Sequence, residues 1–194
     1  MNAPHRNRTG VIAGAFNPVT RAHIALAEAA RAHVDEIVFT LPRRFPHKEL
    51  TGASLEHRIE MIQRAGHRVE LTDGGLFIEI ARELRRSRPE SEIYIVTGRD
   101  AAERVVAWDY GHPDALERMF EEFHLLVASR QGPYNPPDHL RSRIHSLEVP
   151  AEIDDISATE IRRRIASGEL WEHLVPESIV DFVREVYSNL DGRQ

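Results

Sequence analysis

The sequence predicts an α/β protein in which a mostly parallel sheet carries helices on both faces. Short apolar runs alternate along the chain with segments whose apolar residues recur every three or four positions. Strands that alternate with helices form parallel strand–helix–strand units, which cover both faces of a sheet. The last quarter of the chain contains two helical patterns and no strand pattern, so we expect a helical C-terminal end.

Six apolar runs are predicted as strands. The first ends at Val11 and Ile12, and the other five are Glu36–Leu41, Arg68–Leu71, Glu92–Val96, His124–Ser129 and Ser146–Val149. Between them, Thr20 and Ser54 are expected to cap two helices, because their hydroxyls can accept a backbone N–H of the first turn. The remaining helices are predicted from Phe77 to Leu84, in a stretch containing Trp108, and over Ala115–Glu122, Ala158–Ser167 and Ser178–Leu190.

Length and composition limit the organisation and the partners of the chain. Its 194 residues, 41% of them hydrophobic, suit one domain, expected over residues 8–190 with the helices of 157–190 as its appendage and 1–7 as a disordered N-terminus. The formal charge of −6 argues against a nucleic-acid partner. No cysteine is present, and no apolar run approaches the ~18 residues of a membrane span. Without a signal-peptide pattern, a cytoplasmic location is expected.

The segment from Val11 to His23 (VIAGAFNPVTRAH) combines a strand end, a tight turn and a helix start. Gly14 permits a close approach of the backbone, and Pro18 stiffens the connection. Thr20 and His23 then place a hydroxyl and an imidazole at a helix N-terminus, where unpaired N–H groups and the helix dipole favour anions. An ordinary capped helix with a core-facing histidine would also explain a lone Thr-x-x-His.

A second informative segment is ISATEIR, residues 156–162. Ser157 and Glu160 form a capping-box pattern, which by itself needs no function. Thr159 and Arg162 remain on the same first turn, and an arginine can hold two phosphate oxygens at once. The chain contains no Walker A pattern, no G-x-G-x-x-G and no H-E-x-x-H, so those nucleotide and zinc sites are excluded.

These two segments resemble the motifs of the [H/T]-x-G-H nucleotidyltransferase superfamily, whose fold is Rossmann-like. G-x-F-N-P-x-T-x-x-H matches its signature, with Ala13 and Ala22 where the superfamily usually has glycine. ISATEIR matches its C-terminal motif. Residues 168–182 (GELWEHLVPESIVDF) resemble the more discriminating tail of the bacterial nicotinate (nicotinamide) mononucleotide adenylyltransferases. The Pro46–Lys48, Gly98–Asp100 and Arg130–Gly132 segments agree with the same family.

The resemblance implies an enzyme of NAD biosynthesis that moves AMP from ATP to the phosphate of nicotinate or nicotinamide mononucleotide and releases pyrophosphate. It implies that His23 and Thr20 are catalytic, and that Mg²⁺ accompanies ATP and is held largely by phosphate and water. The implied ATP-binding residues are Gly14, Ala15, Phe16, Thr20, His23, Gly98, Asp100, Ser157, Thr159 and Arg162. The implied acceptor-binding residues are Lys48, Phe77, Trp108 and Arg130.

The position of a family Ser-Tyr-Thr motif, which helps to bind the pyridine carboxylate, reads Gly75-Leu76-Phe77 here. This departure leaves open a related transferase that uses another phosphate acceptor, as phosphopantetheine-adenylyl- and cytidylyltransferases do. A non-catalytic nucleotide-binding protein is a third alternative, which is disfavoured by the retained residues Thr20, His23, Lys48, Thr159 and Arg162. The sequence also leaves open whether the chain forms a homo-oligomer.

Overall fold

The computed structural model describes residues 7–44, 52–112, 114–129 and 134–191. Within them, six strands form one sheet in the order β3-β2-β1-β4-β5-β6, and every pair is parallel. The strands are β1 (Arg8–Ala13), β2 (Glu36–Pro42), β3 (Val69–Thr72), β4 (Glu92–Gly98), β5 (His124–Ala128) and β6 (Ile144–Leu147). The predicted Rossmann-like α/β class is therefore confirmed.

Seven α-helices connect or follow the strands in the described part of the chain. They are α1 (Arg21–Ala30), α2 (Leu55–Arg64), α3 (Phe77–Ser87), α4 (Arg99–Ala107), α5 (Ala115–Phe120), α6 (Ala158–Ser167) and α7 (Val180–Asp191). Thr20 and Ser54 are N-caps as predicted, and Ser157 caps α6 by accepting the Glu160 N–H at 3.1 Å. Among the described residues, no helix combines the length and the apolar character needed to cross a bilayer.

Two apolar cores lie on opposite faces of the sheet. One face holds side chains of α1, α2, α6 and α7, and the other holds side chains of α3, α4 and α5. Ile161, Val183 and Val186, from the expected C-terminal appendage, are buried in the same cluster as Ile12 of β1. Residues 157–190 thus complete the core on the first face of the sheet.

Several predicted boundaries differ by one or more residues in the structure, among them those of α4, β6 and α7. Helix α4 ends at Ala107, and Trp108 follows it in extended conformation (φ −71°, ψ 135°). The prediction that Trp108 lies in a helix is therefore wrong. Strand β6 begins two residues earlier than predicted, at Ile144. Helix α7 begins at Val180, because Glu177–Ile179 form a separate 3₁₀ turn.

The expected disordered N-terminus is only partly covered by the structure. Residues 1–6 of that prediction lie outside the described residues. Asn7 is described, and its carbonyl accepts the Glu92 N–H and the Ser91 hydroxyl, each at 2.9 Å. Asn7 therefore extends the pairing of β1 with β4 by one residue.

The direction of strand addition reverses at β1. From β1 the chain proceeds outward to β2 and β3, and then returns to place β4 on the other side of β1. Ligands of such sheets bind beyond the carboxyl ends of the strands at this reversal. Register pairs Ile12 with Val96, so Gly14 and Gly98 each follow two residues later at that edge. The fold thus indicates that a ligand would bind near the segments that follow β1 and β4.

Candidate active site

The turn after β1 is compact and strained in one residue. Phe16 has a φ of +45°, which is uncommon for a residue with a side chain, and its ring is 1% exposed. A Cβ on Gly14 would lie 3.2 Å from that ring, so glycine is what allows the ring to fold back under the turn. The Phe16 ring contacts the His23 ring edge-to-face at a centroid distance of 4.9 Å. The turn therefore supports the imidazole from below.

Thr20 and His23 bond to each other in both directions. The Thr20 hydroxyl accepts the His23 N–H at 3.3 Å, and His23 Nδ1 accepts the Thr20 N–H at 3.0 Å. The Thr20 Oγ1 is also 2.9 Å from Nδ1. Because Nδ1 accepts a backbone N–H, we assign the proton of the neutral ring to Nε2. The capping arrangement thus fixes both the orientation of the ring and the identity of its donor atom.

Helix α6 is joined to this turn by Arg162. One Arg162 amino group donates to the Asn17 carbonyl at 2.6 Å, and the other donates to the Thr159 hydroxyl at 3.3 Å. The structure therefore brings Arg162 and Thr159 to the turn that carries Thr20 and His23, although their positions in the sequence are far apart. Ser157 and Thr159 are exposed at the start of α6.

The residues predicted after β4 lie at the same sheet edge. Gly98 is the N-cap of α4, and Asp100 is exposed in its first turn. Between them Arg99 bonds to Glu103 at 2.7 Å. Trp108 follows the C-terminal end of α4, and its side chain is 69% exposed. A free aromatic face of this kind can stack on a planar ligand ring.

Phe77 and Trp108, both predicted to bind the acceptor, have different environments. Phe77 is half-buried at the first position of α3, with its ring edge against Phe123 at a centroid distance of 6.4 Å. Leu76, before it, is 65% exposed. Phe77 is therefore engaged with the core, whereas Trp108 faces outward. The other two predicted acceptor residues, Lys48 and Arg130, lie outside the described residues.

Ala15, which was predicted to bind ATP, is exposed in the turn after β1.

The start of α3 contains an acidic cap that the sequence analysis did not predict. One carboxylate oxygen of Glu79 accepts the N–H groups of Gly75 and Leu76, at 3.1 and 3.0 Å. A Cβ on Gly74 would lie 2.3 Å from the same oxygen, so glycine leaves the room for this carboxylate. The usual capping-box pattern needs a hydroxyl residue three positions earlier, and Leu76 occupies that position.

A buried polar network beneath the turn was also not predicted. Asn17, Arg58 and Tyr187 are 8%, 0% and 5% exposed, and they come from the turn, from α2 and from α7. Arg58 donates to the Ala15 carbonyl at 3.3 Å, and the Tyr187 hydroxyl donates to the side-chain oxygen of Asn17. In the sequence, Arg58 and Tyr187 are each one of several polar residues in an amphipathic helix, and nothing there indicates their partners.

A cavity of about 420 Å³ lies at the opposite edge of the sheet, where strands β4 and β5 begin. Its lining includes Arg85, Glu92, Glu122 and Arg143. The arginine Arg85 already bonds to the side chain and the carbonyl of Glu122. Since ligands of parallel sheets bind at the carboxyl ends of the strands, we place the candidate active site at the turn after β1 instead.

Comparison with known proteins agrees with this geometry. The model of the cytidylyltransferase-like family matches residues 11–164, from β1 into α6. The chain belongs to the cytidylyltransferase-like family. The match begins on β1, which leads into the turn of Thr20 and His23, and ends just after Arg162, so it spans both halves of the candidate site.

Individual relatives indicate a more specific group within this family. A protein of Tropheryma whipplei named probable nicotinate-nucleotide adenylyltransferase is 31% identical, over 92% of this chain and 99% of its own. A Moorella thermoacetica protein of the same name is 29% identical, over 91% of this chain and 89% of its own. The structure of Plasmodium falciparum nicotinic acid mononucleotide adenylyltransferase complexed with NaAD superposes with a TM-score of 0.68 at 17% identity, over 94% of this chain and 98% of that chain. This structural likeness confirms the fold, and the relatives place the chain among the nicotinate-nucleotide adenylyltransferases.

Proposed function

We propose that the protein transfers AMP from ATP to the phosphate of nicotinate or nicotinamide mononucleotide and releases pyrophosphate, as a step of NAD biosynthesis. The observation that carries the proposal is the Thr20–His23 pair, in which the helix cap holds Nδ1 as an acceptor and leaves Nε2 as the proton donor. The names of the relatives support the acceptor class.

In the proposed reaction an oxygen of the acceptor phosphate attacks the α-phosphorus of ATP. The new P–O bond forms as the bond between the α-phosphorus and the bridging oxygen to the β-phosphate breaks, and pyrophosphate carries away that electron pair. No protein nucleophile is needed, because such transfers depend on positioning and charge stabilisation. The chain contributes a hydrogen bond from His23 to the α-phosphate, where negative charge increases in the transition state.

Thr20, the N–H groups at the start of α1, and Arg162 would hold the other phosphate oxygens of ATP. No three His, Asp or Glu side chains within the described residues converge as a metal site. We therefore propose that Mg²⁺ enters with ATP as part of the substrate, bound to phosphate oxygens and water. Asp100, which lies in the first turn of α4, would contact the ribose or a water of the cleft.

The test is a pyrophosphate-release screen with ATP or CTP against nicotinate mononucleotide, nicotinamide mononucleotide, phosphopantetheine and choline phosphate. We expect release with ATP and at least one of the two pyridine nucleotides. Release with another acceptor alone would establish a related transferase, which the Gly75-Leu76-Phe77 segment keeps as a second candidate. ATP binding without release from any pair would indicate a non-catalytic nucleotide-binding protein.

A further inference from the structure

We propose that Tyr187 of α7 and Arg58 of α2 are positioning residues, which together hold the turn between β1 and α1 in the geometry that the reaction requires. The identity of the reaction rests on the proposed function, but the contacts that carry this inference do not. Neither residue lies in the segments from which the site was predicted, and both are buried behind the turn rather than in the cleft.

Asn17 is the point at which three elements meet the turn. Its side-chain oxygen accepts the Ala53 N–H at 3.0 Å and the Tyr187 hydroxyl, and its main-chain carbonyl accepts Arg162 at 2.6 Å. Burial raises the pKa of Tyr187, so its hydroxyl stays protonated and remains a donor. An amide oxygen with two donors has one favoured orientation, and Asn17 lies three residues before the Thr20 cap.

Arg58 fixes the same turn from the side of α2. Its side chain is 0% exposed, and it donates to the Ala53 carbonyl at 2.8 Å and to the Ala15 carbonyl at 3.3 Å. Burying an arginine carries a large desolvation penalty, and an apolar residue of similar volume would fill the same space without it. A buried cation bonded to the backbone of an anion-binding turn adds positive potential where the phosphates of ATP would lie.

Gly52 shows how tightly the segment before α2 is pressed against Asn17. Its φ is +96°, and a Cβ there would lie 2.8 Å from both polar atoms of the Asn17 carboxamide. The backbone of Ala53 therefore makes two contacts: its N–H donates to Asn17 in the turn, and its carbonyl accepts the Arg58 side chain. Through these contacts α2 holds the turn relative to β1, and α7 does so through the hydrogen bond of Tyr187 to Asn17.

The test replaces the Tyr187 hydroxyl and leaves the ring in the core. Tyr187→Phe is compared with Tyr94→Phe, a matched control in which a buried tyrosine (7% exposed) loses a 3.4 Å bond to Glu92 at the opposite end of β4. We expect similar small changes in Tm for the two variants. Only Tyr187→Phe should lower kcat/KM for ATP, by about tenfold, because a displaced turn misaligns the reacting groups.

Equal kcat and KM in Tyr187→Phe, Tyr94→Phe and the parent protein would overturn the proposal and leave Tyr187 a purely structural residue. If the parent protein transfers AMP to no acceptor, the proposed function fails and calorimetric ATP affinity replaces turnover. A Kd for ATP raised at least threefold in Tyr187→Phe, and unchanged in Tyr94→Phe, would then support the positioning role. Equal affinities would reject it.

Arg58→Lys and Arg58→Met separate the charge from the hydrogen bonds. Lysine keeps the cation without the planar fork, whereas methionine keeps much of the volume without the cation. We expect Arg58→Lys to retain more of the ATP affinity than Arg58→Met in folded protein. Equal losses would show that the charge itself contributes nothing. If Arg58→Met does not fold, Arg58→Lys is compared with the parent, and an ATP affinity lowered more than tenfold would likewise exclude the role of the charge.

Discussion

Helices α1 and α3 begin beyond the carboxyl ends of β1 and β3, and in each the third helical residue turns its side chain back onto the preceding backbone. In α1 that residue is His23, whose ring accepts the Thr20 N–H at 3.0 Å. In α3 it is Glu79, whose carboxylate accepts the N–H groups of Gly75 and Leu76. At both helix starts a side chain accepts backbone N–H groups that precede the helix, but the two side chains differ in charge.

The difference decides which ligand each helix start suits. A neutral imidazole that accepts at Nδ1 retains a donor at Nε2, so the α1 start keeps its preference for a phosphate. A carboxylate satisfies the same N–H groups with a negative charge, which repels a second anion. A helix N-terminus is therefore an anion site only where its cap does not already supply the anion. The predictions below test this contrast.

The largest effect is expected for His23→Ala, which removes the donor of the α1 cap. We expect kcat to fall by roughly two to three orders of magnitude, the usual cost of losing one donor to a developing oxyanion, with a much smaller change in ATP affinity. Steady-state kinetics and calorimetric ATP binding measure the two quantities. The control is His139→Ala, at an exposed histidine far along the chain near β6.

A His23→Ala variant with nearly unchanged kcat would show that the imidazole only caps α1. The contrast with Glu79 would then be a difference in helix capping alone, and the proposed chemistry would lose its donor.

A smaller effect is expected for Arg162→Lys. Arg162 lies in the first turns of α6 and bonds to the turn that precedes α1. The two amino groups of Arg162 bond to the Asn17 carbonyl and to Thr159, and an ammonium cannot reproduce this planar geometry. We expect KM for ATP to rise about tenfold while the fold is retained. Arg163→Lys is the matched control, because Arg163 pairs with Glu160 and Glu169 on the exposed side of the same helix.

Unchanged kinetics of Arg162→Lys together with a lowered Tm would assign Arg162 to anchoring α6 on the turn rather than to ATP. That outcome would leave His23 as the main phosphate donor of this edge.

The sequence predicted most of the fold, because its signals are local. Alternating apolar runs placed all six strands, with β6 displaced by two residues, and hydroxyl residues marked the starts of α1, α2 and α6. No glycine or proline lies between Gly98 and Gly111, so the sequence contains no local signal that ends the helix before Trp108. Its extended conformation depends on tertiary structure.

The candidate site was predicted in part. The motif letters indicated the turn, His23 and Arg162, and the structure brings these together. The contacts of Arg58 and Tyr187 with the turn could not be predicted, because helical spacing gives a buried face but not the residue opposite it. Glu79 was missed for a similar reason: Leu76 breaks the expected capping pattern, although the backbone adopts the capped conformation.

The smallest effect concerns the choice between the acid and the amide forms of the pyridine nucleotide. The Glu79 carboxylate already occupies the Gly75 and Leu76 N–H groups, which could otherwise have bound the acid. Trp108, which is 69% exposed, can stack on either ring with similar energy. We therefore expect kcat/KM to favour nicotinate over nicotinamide mononucleotide by less than about a hundredfold, or ~2.7 kcal/mol.

Glu79→Gln makes this expectation sharper, because it keeps an acceptor oxygen for the backbone and removes the charge. Repulsion of the acid form should fall, so the ratio of kcat/KM for acid over amide should rise several-fold, by roughly 1 kcal/mol of selectivity. Glu83→Gln is the control: Glu83 lies on the same helix and accepts the Asp73 N–H at 2.9 Å. A parent enzyme that already prefers the acid by more than about a hundredfold would contradict the prediction and indicate that other backbone N–H groups read the carboxylate. An acid-to-amide ratio that is the same in Glu79→Gln and Glu83→Gln would show that the α3 cap lies too far from the acceptor to influence it.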